Sequence, residues 1–454
     1  MSGAERVLTR PTVGAPVPWA FPEPATSILP NGLRLLLVHQ PGQHVLSLRM
    51  TLPAPVSHEE PGTEGSTLLM VQSLDEGTDR HTADELAELS ERHGIALGGG
   101  AGERGVHLGV EVTARHLPVA LELVGECLTA PTFPGPEVAR LARHRMADIA
   151  HERADPGSRA SAELRGAYFD PRDRPHRPLG GTPESVGSLT PDVLRARHAA
   201  LGPTGGAVVL AGDLSTVDGP EQLLARTLGA WSAGAPQAPT PPGPARRADD
   251  AARLVLVRRP GLAQTELALA RPGPDRRTAH GWGTYQALSL LLGGSPHARL
   301  DRVLREERGY TYGMRLGFRP RSVGGQCVVG GSVRSDATLP ATEQLLSILD
   351  VAGAELTTRE VREAADFTAM TAPGRYLTAD AVADEIVSLV GDGLEPGTVT
   401  RTLAQLHDLT RDQAAAAWDE VRRGPGWTVV AVGDPEQIDA LADLGLGPVR
   451  VVEG

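Results

Sequence analysis

The chain has 454 residues, with 44 basic and 56 acidic side chains for a net charge of −12, 40% hydrophobic residues and 3% aromatics. Every basic residue other than histidine is arginine, because the sequence holds no lysine; this excludes a lysine nucleophile, a Schiff base and a Walker-type phosphate loop. The acidic balance excludes a general binder of nucleic acid or anionic membranes, and the scarcity of aromatics excludes a stacking platform for single strands.

The chain opens on Met1-Ser2-Gly3-Ala4-Glu5-Arg6 and a proline-rich stretch. Neither a secretory h-region nor an apolar run near the ~18 residues of a membrane span is present, so a cytoplasmic protein is expected. Asn31-Gly32 marks a tight turn before a strand at 33–38. Residues 66–74 read as a buried helix, and Thr82-Ala83-Asp84-Glu85 is a capping box for a helix that Gly94 closes. Val106, Leu108, Val110 and Val112 alternate with polar or small residues as a half-buried strand. Amphipathic helices follow at 117–128 and 137–153. The first half thus reads strand, helix, helix, strand, helix, helix, strand, which points to an α+β fold. Cys127 and Cys327, 200 positions apart on an apolar helix and a strand, suit buried reduced thiols.

The segment 234–244 is dense in glycine and proline and reads as a linker near the midpoint. On either side the halves repeat. Leu35-Leu36-Leu37-Val38 matches Leu254-Val255-Leu256-Val257 at an offset of 219, and Ala207–Asp213 matches Thr428–Asp434 at an offset of 221. Two anchors within two residues of each other indicate a duplicated domain.

Common catalytic motifs fail one by one. Gly100-Ala101-Gly102-Glu103-Arg104-Gly105 fits GxGxxG, but an alternating strand follows where a dinucleotide site needs a helix; a turn into an edge strand is expected. His144, Asp148 and His151 share one helix, with the two histidines nearly opposite its apolar stripe of Val138, Leu141, Ala142 and Ile149, so they read as a polar face rather than metal ligands. No HExxH, HxxEH, GxSxG or CxxC occurs.

In this order and spacing, several segments resemble the M16 peptidases, the insulinase or pitrilysin-like inverted zincins. They are Leu29-Pro30-Asn31-Gly32-Leu33-Arg34, Arg177-Pro178-Leu179-Gly180-Gly181-Thr182-Pro183-Glu184-Ser185, Leu291-Leu292-Gly293-Gly294-Ser295, Arg299-Leu300 and Leu304-Arg305-Glu306-Glu307-Arg308-Gly309-Tyr310-Thr311-Tyr312. The resemblance, covering about residues 26–445, implies two homologous α/β sandwich domains in tandem, forming half of a clamshell. The boundaries expected are an extension (1–25), an N-terminal domain (26–233), a linker (234–250) and a C-terminal domain (251–454).

Active members of that family carry HxxEH before a Gly-Thr pair and a further acidic ligand about 76 residues on. Aligned on Gly77-Thr78, this chain has Leu68 and Gln72 at the histidine positions, Val71 at the general base and Asp148 at the third ligand. Leucine has no lone pair, an amide is a poor ligand and valine takes no proton, so no catalytic zinc is expected and the former site should pack as core. What remains is the pair that the family's second subunit contributes, an arginine and a tyrosine seven residues apart, here Arg305 and Tyr312. Arg305 is expected in the last turn of a helix at 298–308, and Tyr312 at the start of a strand at 312–318. The glycine-rich turn at 98–102 (Gly99, Gly100) and an edge strand around Val106 correspond to where the family receives peptide. The resemblance therefore implies a zinc-less subunit, without a cofactor of its own. It would serve a zinc-bearing partner with an intact HxxEH in hydrolysing peptides, such as leader or other small peptides. The alternative is a non-enzymatic peptide-binding scaffold acting as a homodimer.

Overall fold

The computed structural model describes residues 17–232 and 253–454, together with Thr12, Gly14, Ala245 and Arg247; most of the expected extension and linker lies outside the described residues. Six strands build the first sheet: β1 (Ala25–Ile28), β2 (Arg34–His39), β3 (Val45–Pro53), β4 (Ala96–Ala101), β5 (Gly105–Thr113) and β6 (Ala207–Gly212), in the order β1-β2-β6-β3-β5-β4. The second contains β7 (Leu254–Arg258), β8 (Gln264–Gly273), β9 (Arg315–Pro320), β10 (Gly325–Arg334), β11 (Thr428–Gly433) and β12 (Val449–Glu453), in the order β12-β7-β11-β8-β10-β9. The fold is α+β with two tandem sheet-and-helix units. The first half is richer in strands than its sequence pattern implied, since β1, β3 and β4 were not marked by it.

The repeat extends to atoms. Val38 pairs with Ala211 across parallel β2 and β6, and Val257 with Val432 across parallel β7 and β11, the same residues that the offsets align. Gly42 and Gly261 both turn at φ +80°, and each donates its N–H to an aspartate after the central strand, Asp213 at 2.9 Å and Asp434 at 2.6 Å. Only the outermost position differs: β1 is antiparallel to β2, whereas β12 is parallel to β7.

Central strands β6 and β11 are buried along their whole length, as expected of near-continuous apolar runs covered on both faces. Val208 and Leu210 of β6 face the main core of the first half, while Ala207, Val209 and Ala211 face the helix Ala379–Gly391 from the second half. The first half reciprocates. Of its helices α1 (Ser66–Gln72), α2 (Ala83–His93), α3 (Leu117–Thr129), α4 (Gly135–Ala154) and α5 (Pro156–Tyr168), the last lays Ala160, Leu164 and Ala167 on Val430, Val432 and Ala268 of the second sheet. Each half thus covers the open face of the other's sheet. Arg49 fastens one of these junctions through Asp384 at 2.5 Å and Glu111 at 2.6 Å.

Local signals operate as expected in α2. Thr82 and Glu85 form a reciprocal capping box, and Gly94 ends the helix at φ +61°. Both cysteines are free and buried. No helix among the described residues is long and apolar enough to cross a membrane.

Candidate functional site

β4 is the free edge of the first sheet, paired to β5 on one side only. The segment expected as a turn is therefore a strand as far as Ala101; the turn proper is short, closed by Gly102 N–H to Gly105 O at 2.7 Å. Conversely, β5 is interior. Val106 is buried, and its backbone lies between Leu52 and Ala101, so the expected edge is one strand further out. Val106 offers no free hydrogen-bonding edge to a peptide.

The glycines of β4 are required by close approach. A Cβ on Gly99 would lie 2.6 Å from both Leu108 Cδ2 and Val71 Cγ1, and one on Gly100 would lie 2.6 Å from His107 Nε2. The exposed Gly99 therefore presses its backbone against Val71, the residue at the general-base position. Burial pushes the His107 imidazole below its ordinary range, with Asp384 opposing.

Two cavities flank this strand. One, of about 820 Å³, is lined by Gly98, Gly99, Arg49, Glu103, Arg321 and Asp384 among others, and so lies between the two halves. The other, of about 430 Å³, gathers Val71, Gln72, Asp148, His144 and Cys127 with Leu97 to Gly99. Three of the four positions aligned with a metal site, Val71, Gln72 and Asp148, thus converge around one cavity, without Leu68, and the chemistry of the set does not fit zinc. Valine and leucine have no donor atoms, and no three His, Cys, Asp or Glu side chains among the described residues are grouped to hold an ion. Packing of the former site is also less complete than expected. Leu69, Met70 and Val71 are buried, whereas Leu68 is half-buried and Gln72 is exposed toward solvent. His144 and His151 are both exposed. The Cys127 thiol is pushed up to about 12 by burial, with Asp75 and Glu126 adding to it, which leaves it unreactive at neutral pH.

Arg305 and Tyr312 stand in the second half, and the local structure corrects the expected single helix. Arg299–Asp301 is α-helical, and Arg302–Glu307 continues as a π-helix. The wide turn is seen where Arg308 donates to Val303 O, five residues back, at 3.0 Å. π-turns interrupt regular helices often where function re-aims a side chain. Gly309 then reverses the chain at φ +64°. Arg305 is 40% exposed and, among the described residues, its side chain pairs only with its neighbour Glu306, at 3.4 Å. Tyr312 does not begin a strand; it lies on the turn before β9 and is 85% exposed. Its hydroxyl has no hydrogen-bond partner among the described residues.

This exposed tyrosine sits on a firmly held loop. Thr311 is buried and donates to Ser332 O at 2.6 Å. Asp301, fully buried, accepts the Met314 N–H at 2.8 Å and an Arg315 N–H at 2.6 Å. Asp301 was not legible as a site residue, because its partners lie 13 and 14 positions away across a reversal that no local pattern announces.

A family model described as Peptidase M16 inactive domain matches residues 188–366. No curated protein matches the chain. Among solved structures, a peptidase M16 inactive domain from Pseudomonas fluorescens superposes with TM-score 0.81 at 23% identity, over 91% of this chain and 98% of that one. A protease from Helicobacter pylori also gives 0.81, at 16% identity over 91% and 100%. A chain of the Candida albicans complex III2 gives 0.75, at 14% identity over 91% and 97%. At these identities the likeness is one of fold.

Proposed function

We propose that this chain, which belongs to the M16 peptidase family as a non-catalytic member, works as the zinc-less subunit of a heterodimeric metallopeptidase. In this reading a second M16 subunit with an intact HxxEH helix brings the metal and the general base. This chain brings Arg305, Tyr312 and the free edge of β4. The observation that carries the reading is the combination of a site with leucine and valine at a ligand and the base position, and an exposed Tyr312 on a rigid loop whose hydroxyl has no partner among the described residues. A solitary scaffold has no evident need to hold a tyrosine in water on so well fixed a turn.

Each residue has a defined task in the proposal. A phenol O–H donates to the oxygen that gains charge when a peptide carbonyl is attacked, and such donors contribute most when pre-positioned. A guanidinium clamps a substrate carbonyl or supports the tyrosine with its rigid fork of N–H groups. The unpaired edge of β4 accepts an extended peptide as an additional strand, with the Gly99 backbone open to approach. The substrates are peptides, leader or other small peptides among them, and the complex works in the cytoplasm.

The test is reconstitution. Co-expression with a zinc-bearing M16 subunit should give a stable heterodimer whose peptidase activity exceeds that of either chain alone. A homodimer that binds peptide, and leaves the activity of such a partner unchanged, would favour the scaffold reading instead.

A further inference from the structure

Beside the cavity on β4 lies a second recess of about 560 Å³, lined by Arg165, Arg172, Arg174, Arg177 and Arg321 over an apolar floor that includes Phe169 and Leu179. Glu103 and Arg321 line both spaces, so the recess adjoins the place where the proposed function puts a peptide. A wall of arginines is unexpected in a chain whose overall charge is −12.

Most of these cations are already paired. Arg174, buried, is held by Glu59 at 2.6 and 3.2 Å and by the carbonyls of Arg177 and Pro178. Arg177 meets Glu64 at 3.0 Å, and Arg172 meets Asp170 at 2.6 Å. Arg321 meets Glu103 at 2.7 Å and stacks over the Phe169 ring at 5.0 Å. Asp173 also lines the recess.

Arg165 is the exception. It projects from α5, is partly buried, and its guanidinium has no hydrogen bond or ion pair with any described residue. Burial depresses its proton affinity; Glu152 opposes this, and the neighbouring charges of Arg174 and Arg319 add to it. An unpaired, half-desolvated guanidinium among like charges is costly unless an anion completes it. A further donor supports this, since the Nε of Arg321 is buried without an acceptor among the described residues.

We infer that the recess around Arg165 is a specificity subsite for a carboxylate of the peptide laid along β4, with the apolar floor taking the carbon chain that bears it. A planar fork of N–H groups matches a carboxylate in a bidentate manner, and a low-dielectric wall strengthens the contact. The carboxylate comes either from an aspartate or glutamate side chain or from the free C-terminus. This inference rests on the peptide-binding part of the proposed function.

The experiment immobilises the full-length chain and passes two degenerate octapeptide libraries over it, one with free-acid and one with amidated C-termini. Retained peptides are read by mass spectrometry. The subsite predicts Asp and Glu enriched about tenfold in both libraries if a side chain is recognised, or preferential retention of the free-acid library if the C-terminus is. Either preference disappears in Arg165→Gln and is partly kept in Arg165→Lys. Circular dichroism verifies that both variants fold; neutralising an unpaired buried charge should leave the melting temperature unchanged or raised. Retention without acidic preference, or a preference that survives Arg165→Gln, overturns the subsite while leaving peptide binding intact. No retention of either library overturns it together with peptide binding by this chain alone.

Discussion

Asp301 offers the sharpest test of how the Tyr312 loop is held. Its carboxylate is fully buried and accepts one N–H from the backbone of Met314 and one from Arg315. Asp301→Ala leaves the Met314 N–H, itself inside the second core, without an acceptor, which costs about 1–3 kcal/mol. The ion pair adds at most about 1 kcal/mol, because the Arg315 side chain is 54% exposed and regains water when released. The sum is about 1–4 kcal/mol. Asp301→Asn keeps an oxygen for Met314 and loses only the ion pair, so it should cost about 1 kcal/mol. Urea unfolding followed by circular dichroism measures both variants. The same variants, assembled with a zinc-bearing partner, should lose kcat in that order while association is unchanged. If Asn is as damaging as Ala, or if both lie within about 0.5 kcal/mol of wild type, the carboxylate does not anchor the loop.

Three other expectations follow from particular contacts. Burial raises the Glu360 carboxyl, but hydrogen bonds from Arg299 and from the Thr357 backbone and hydroxyl outweigh it and hold the group at about 2, below its ordinary 4.5. A depressed carboxylate contributes stability above its unfolded value and loses it as pH falls through the folded one. The stability difference between wild type and Glu360→Gln should therefore be full at pH 5 and shrink from pH 4.5 to 2; a flat difference contradicts the pairing. Gly99→Ala should cost about 1–3 kcal/mol by overpacking, and Val71→Ala in the same chain should recover part of that loss in a denaturation series. Equal stability of the single variant would mean that β4 is free to shift off α1. Finally, the purified chain should bind no stoichiometric zinc at neutral pH by inductively coupled plasma mass spectrometry, because Leu68 and Val71 supply no donor atoms.

Much of this architecture was legible in the sequence where the signal is local or repeated. The capping box of α2 needs only four residues, and the alternating burial of β5 needs only its own period. The offset repeat revealed the duplication, and the aligned residues prove to share one register in the two sheets. Signals that depend on distant partners were lost. β4 consists of alanine, leucine and glycine, whose weak strand preference reads as a turn; it is a strand because Gly99 and Gly100 clear Leu108, Val71 and His107. The π-turn at Arg305 has no sequence signature, and the late start of β9 is set by Thr311, Asp301 and Ser332. The exchange of α5 and Ala379–Gly391 between halves was invisible too, since an apolar stripe does not say which sheet it covers. The recess around Arg165 joins segments from both halves that no spacing rule relates.

The measurement that bears most directly on the central claim uses the reconstituted heterodimer with Tyr312→Phe. Removing the hydroxyl leaves the ring and the loop in place, so association and the metal content of the partner should be unchanged. Loss of a single oxyanion donor should lower kcat by about 10²–10³-fold with little change in KM. Turnover equal to wild type in that complex would contradict a catalytic contribution from this chain.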